Sequence, residues 1–99
     1  MIKAARILIV GAGLAGLSLA IALRNRGIEA QIVERDGDWS RDGAGIYLVG
    51  NAMRALDSLG LAKAVLKKGA QIQTQTILSG KGRMLTQIDT ENVWHGCGP

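Results

Sequence analysis

Ninety-nine residues, 47% of them hydrophobic and only one of them proline, suffice for one small α/β core and show no segment biased enough for disorder. The net charge of +4 comes from twelve basic residues scattered between Lys3 and Arg83, with only Lys67 and Lys68 adjacent. With three aromatic residues in all, there is no basic stripe with stacking rings, so no nucleic-acid partner is expected. A single cysteine rules out an internal disulfide and fits a reducing, cytoplasmic setting.

The first predicted element is a strand, Ile7-Leu8-Ile9-Val10, whose unbroken apolar run suggests burial on both faces, as in a parallel sheet. Gly11-Ala12-Gly13-Leu14-Ala15-Gly16 follows at once. Gly11 permits a tight turn, Gly13 lets a backbone approach a phosphate, and Gly16 allows close packing of helix on strand. The helix that starts near Leu14 aims the free N–H groups of Leu14, Ala15 and Gly16 and its positive dipole end at that spot, which suits a pyrophosphate. Arg24, Asn25, Arg26 and Gly27 close it, with cations at the negative end and then a residue free to turn left-handed. A second strand over 29–33 ends in Glu34, eighteen residues beyond Gly16, where an acid can accept hydrogen bonds from ribose hydroxyls. A glycine fingerprint alone is weak. Placed after a strand, opening a helix and followed by a strand-end acid, it specifies a Rossmann-like βαβ dinucleotide-binding unit.

Residues 7–23 carry no charge, Lys3 and Arg6 precede them, and Ala20-Ile21-Ala22 mimics a cleavage site, which together outline a secretory signal. Three glycines at turn spacing would weaken such a helix, and the run falls short of the about 20 residues that a membrane span requires. The nucleotide reading accounts for the whole stretch, so no membrane span is expected.

Residues 35–45 hold two arginines and three aspartates among glycines, a loop on composition. Its charges read either as a solvated turn or as a guanidinium held near a phosphate. Ile46-Tyr47-Leu48-Val49 is a short extended run, after which Asn51 can cap a helix over 52–59 with Ala52, Leu56 and Leu59 on its buried side, ended by Gly60. A second helical stretch over 61–68 buries Leu61, Ala62, Val65 and Leu66 and stops at Gly69. From Ala70 the period changes to two: 71–78 is a half-exposed strand, 79–82 a turn and 83–89 its hairpin partner. The tail from Thr90 shows no period. His95 and Cys97, the only residues of their types, supply too few ligands for zinc and no third group to orient a nucleophile, so no metal site and no catalytic residue are expected.

The run from Gly11 to Leu17, then Val33-Glu34-Arg35, then Arg41-Asp42-Gly43-Ala44-Gly45-Ile46, then Asn51-Ala52 leading to Leu59-Gly60-Leu61, resembles the amino-terminal part of FAD-dependent monooxygenases of the para-hydroxybenzoate hydroxylase type. The likeness runs over about residues 4–89, and its second half is the more specific. It implies an FAD pyrophosphate held at Gly11, Gly13 and Gly16 and an adenosine ribose on Glu34. It further implies Arg35 near the adenosine, Arg41 near the pyrophosphate, and Ala44 and Gly45 on the path to the flavin. The implied enzyme hydroxylates an aromatic or similar small molecule with NAD(P)H and O2. It is several times longer, so this chain is expected to be a piece of a larger doubly wound FAD domain, inactive alone and binding FAD weakly or not at all. Residues 1–69 would belong to the FAD-binding domain, and 70–99 would begin the substrate-domain sheet. Open strand edges and the apolar side of the helices within 52–66 predict a homo-oligomer for the isolated chain. Two alternatives stand beside this reading: a nucleotide-binding module without catalysis, and a piece of an NAD-dependent dehydrogenase, against which the pattern from Arg41 to Leu61 argues.

Overall fold

A computed structural model describes residues 6–37 and 45–97, in two compact units, Met1–Ile46 and Tyr47–Pro99. In the first unit, β1 (Leu8–Val10) runs parallel to β2 (Gln31–Val33), with Leu8 opposite Gln31, Ile9 opposite Ile32 and Val10 opposite Val33. The helix α1 (Leu14–Asn25) connects them, as a parallel pair requires. The ladder is extended at both ends by Gln31 N–H donating to the Ile7 carbonyl at 2.9 Å and Gly11 N–H donating to the Val33 carbonyl at 2.7 Å.

The α1 terminus follows from sequence chemistry. Gly27 takes φ +74°, its N–H donates to the Arg24 carbonyl, and Ile28 N–H reaches back to the Leu23 carbonyl, both at 2.9 Å. That is a Schellman closure, satisfying carbonyls that the helix cannot. Arg24 lies in the last turn, and the Arg26 guanidinium donates to the Ala22 carbonyl at 3.1 Å, so both cations sit at the negative dipole end.

Burial departs from the expectation for β1. Ile9 is 6% exposed, but Leu8 is 58% and Val10 80% exposed, so the strand is buried on one face only. The cause is the layering: α1 covers the Ile9 face, and nothing among the described residues covers the other. Leu17, Ala20 and Ile21 form the half-buried side of α1, while Leu19 points to solvent.

The second unit begins with α2 (Gly50–Ser58) and α3 (Ala62–Lys68), which pack on each other around Met53 and Ala62, 7% and 2% exposed. Gly60 at φ +78° ends α2 through a second Schellman pair, Gly60 N–H to Asp57 at 3.0 Å and Leu61 N–H to Leu56 at 2.9 Å. Asn51 is not the cap. The helix starts two residues earlier with Val49 as N-cap, and Asn51 Oδ1 instead accepts from Ala52 N–H at 2.9 Å. A tertiary contact accompanies this shift: a Cβ on Gly50 would lie 2.7 Å from Cε3 of Trp94 and 3.2 Å from Cβ of Cys97, so the first turn packs under the indole. Leu66, expected inside, is 45% exposed, because α3 has a narrow contact with α2 and turns that side outward.

The hairpin of β3 (Thr74–Leu78) and β4 (Met84–Asp89) is antiparallel, with Thr74 opposite Asp89, Thr76 opposite Gln87 and a register shift between Ile77 and Leu78. Gly82 at φ +81° and the Ser79 hydroxyl, which accepts from Lys81 and Arg83 N–H, shape the turn. All of β3 is exposed rather than alternately buried, since the element packed on this pair is a single short helix at its end. That helix, α4 (Thr90–Trp94), lies in the tail that shows no periodicity. Asp89 caps it, accepting from Glu91 N–H at 3.0 Å and Asn92 N–H at 3.4 Å. Thr90, buried at 7% exposure, ties it to the strand: its hydroxyl donates to the Ile72 carbonyl and its N–H to the Gln73 carbonyl.

Candidate functional site

The site is built at the carboxyl end of β1. Gly11 leaves the strand at φ +103°, a conformation that L side chains rarely adopt, while its N–H stays on the β2 ladder. The chain then reverses into α1 at Gly13, which has extended dihedrals of φ −79° and ψ −172° and where a Cβ would meet nothing within 4 Å. Gly16 is the opposite case. A Cβ there would run into the carbonyl oxygen of Gly11 and come within 3.3 Å of Cγ2 of Ile9, so α1 lies against β1 at a distance only glycine allows.

The N-terminus of α1 is bare. Gly13 offers no capping side chain and the first turn holds no acid. The Gly13 carbonyl accepts from Leu17 N–H at 2.9 Å, but no acceptor among the described residues takes the N–H groups of Leu14, Ala15 and Gly16. The Leu14 side chain is 72% exposed, which leaves the turn open to solvent. Three donors and the positive end of a twelve-residue helix therefore face an accessible space without a counter-charge. Such an arrangement fits an anionic phosphate group.

Glu34 follows β2 directly, and the parallel pairing of Val10 with Val33 puts it at the same sheet end as the glycine turn. It and Arg35 are exposed. Gly45, at φ +136° with open space around it, is joined to the turn by no hydrogen bond among the described residues. Arg41 and Ala44 lie outside the described residues. The structure thus brings together Gly11, Gly13, Leu14, Ala15 and Gly16, with Glu34 at the same edge. Ile9 is a residue that sequence reasoning did not single out: its side chain is the floor against which Gly16 packs, and its signal was its place among the strand's apolar residues.

No group of three or more His, Cys, Asp or Glu among the described residues could hold a metal ion, and no described helix is long and apolar enough to cross a membrane. His95 ends α4, and Cys97 is a half-buried free thiol against Gly50. A polar concavity of about 500 Å³ beside the hairpin is lined by Gln73, Thr74, Gln87, Asp89 and Glu91, but its Asp89 carboxylate is engaged as the α4 cap.

A parallel βαβ unit with a glycine turn, an uncapped helix and a strand-end acid defines a dinucleotide-binding protein of the Rossmann-like class. The particular family is also clear: residues 4–97 match the FAD binding domain family model, and the chain belongs to that family. It is 42% identical over 82 residues to the aurachin C monooxygenase/isomerase of Stigmatella aurantiaca, covering 83% of this chain and 21% of that protein. It is 36% identical over 74 residues to 3-hydroxybenzoate 6-hydroxylase 1 of Aquipseudomonas alcaligenes, covering 75% and 19%. Among solved structures, the tetrameric form of 2-methyl-3-hydroxypyridine-5-carboxylic acid oxygenase superposes with a TM-score of 0.78 at 31% identity, covering 87% of this chain and 23% of that one. The chain therefore spans about a fifth of the length of these relatives. FAD is the cofactor of the family, and the bare donors at the glycine turn suit its pyrophosphate.

Proposed function

We propose that this chain serves as the amino-terminal, FAD-binding portion of a flavoprotein monooxygenase that hydroxylates an aromatic or similar small molecule with NAD(P)H and O2. The observation that carries the reading is the α1 terminus, whose Leu14, Ala15 and Gly16 N–H groups have no acceptor among the described residues and open onto clear space beside Gly13. In this reading those donors bind the pyrophosphate, and Gly11 and Gly16 set the turn that orients them. Glu34 accepts from the adenosine ribose hydroxyls, Arg35 lies near the adenosine, Arg41 near the pyrophosphate, and Ala44 and Gly45 line the path to the flavin. FAD, when bound, supplies the redox chemistry, while the protein supplies position and electrostatics. None of the residues here is assigned as acid, base or nucleophile.

Residues 1–69 then form part of the FAD-binding domain, and 70–99 begin the sheet of a substrate domain. The chain alone is inactive, binds FAD weakly or not at all, and self-associates through its open strand edges and exposed apolar residues. Cys97 as a single free thiol supports a cytoplasmic setting.

The test is Glu34→Ala in a full-length monooxygenase carrying this segment. Leaving the ribose hydrogen bonds unmade costs about 1–3 kcal/mol, a loss of FAD affinity of roughly 5- to 150-fold. An unchanged affinity in an equilibrium titration removes the ribose role.

A further inference from the structure

We draw no further inference here: the strongest candidate, the open apolar face of the parallel pair formed by Leu8, Val10 and Val33, carries nothing beyond the self-association already proposed, because nothing in the structure shows what covers it.

Discussion

Replacing Gly13 by alanine separates binding from folding. The backbone at Gly13 is ordinary for any L residue, and an added methyl would meet nothing within 4 Å, so the fold accepts it. Alanine is a poorer N-cap than glycine by roughly 0.5–1 kcal/mol. Against this, it removes unfolded-state freedom worth about 0.4–1 kcal/mol. The two nearly cancel, leaving a net change within about 0.5 kcal/mol and a melting shift of no more than about 4 °C for a domain of this size. Binding responds differently. The methyl occupies the space through which a phosphate reaches the Leu14, Ala15 and Gly16 donors, and hydrogen bonds to a charged group are each worth about 1.5–3 kcal/mol. Loss of two of the three removes about 3–6 kcal/mol, roughly 10²- to 10⁴-fold in Kd. Thermal denaturation followed by circular dichroism measures the first quantity, and flavin fluorescence titration of a full-length enzyme carrying the substitution measures the second. A variant that binds FAD normally refutes the assignment of the pyrophosphate to this turn. A variant that loses many degrees of stability refutes the claim that the space at Gly13 is open.

Gly16→Ala should behave in the opposite way: the methyl collides with the Gly11 carbonyl, and the overpacking costs about 1–3 kcal/mol, so a melting temperature equal to that of the parent would contradict the close α1–β1 approach. For the 99-residue chain on its own, FAD affinity should be roughly micromolar or poorer, because only the adenosine side of the cofactor finds partners. Stoichiometric yellow protein, verified by absorbance in the flavin bands and by intact mass, would overturn that. Sedimentation of the same chain at micromolar concentration should show dimers or larger species; a cooperative, folded monomer of 10.4 kDa would end the self-association proposal.

Much of the chain is legible in sequence where its constraints are local. The Schellman closures at Gly27 and Gly60 need only a left-handed residue at the right place, and glycine announces it. The glycine turn, the start of α1 at Leu14 and the carboxyl-end position of Glu34 follow from spacing alone. The errors came where a long-range contact decided the outcome. The start of α2 is set beside Trp94, forty-four positions away from Gly50, which no local rule for Asn51 can register. Burial was overread for the same reason: the apolar runs in β1 and α3 state what a residue could bury, while exposure of Val10 and Leu66 depends on which layers cover them. The missed α4 did carry a signal. Asp89, followed by Glu91 in the first turn, is an N-cap pattern, but a five-residue helix is too short to show a period.

The indole of Trp94 resting on Gly50 ties the beginning of the second unit to its end. It makes the boundary of any excised piece a structural choice rather than a matter of convenience. Cutting after Asp89 would keep the whole hairpin on paper, yet it would strip away Thr90, which pins the strand, and the ring that closes over the first turn of α2. The helices and the hairpin would lose a shared lid in one cut. A piece that is to keep this closure must hold both Gly50 and Trp94, and the two positions are coupled in one direction: a side chain at position 50 requires a residue smaller than tryptophan at position 94.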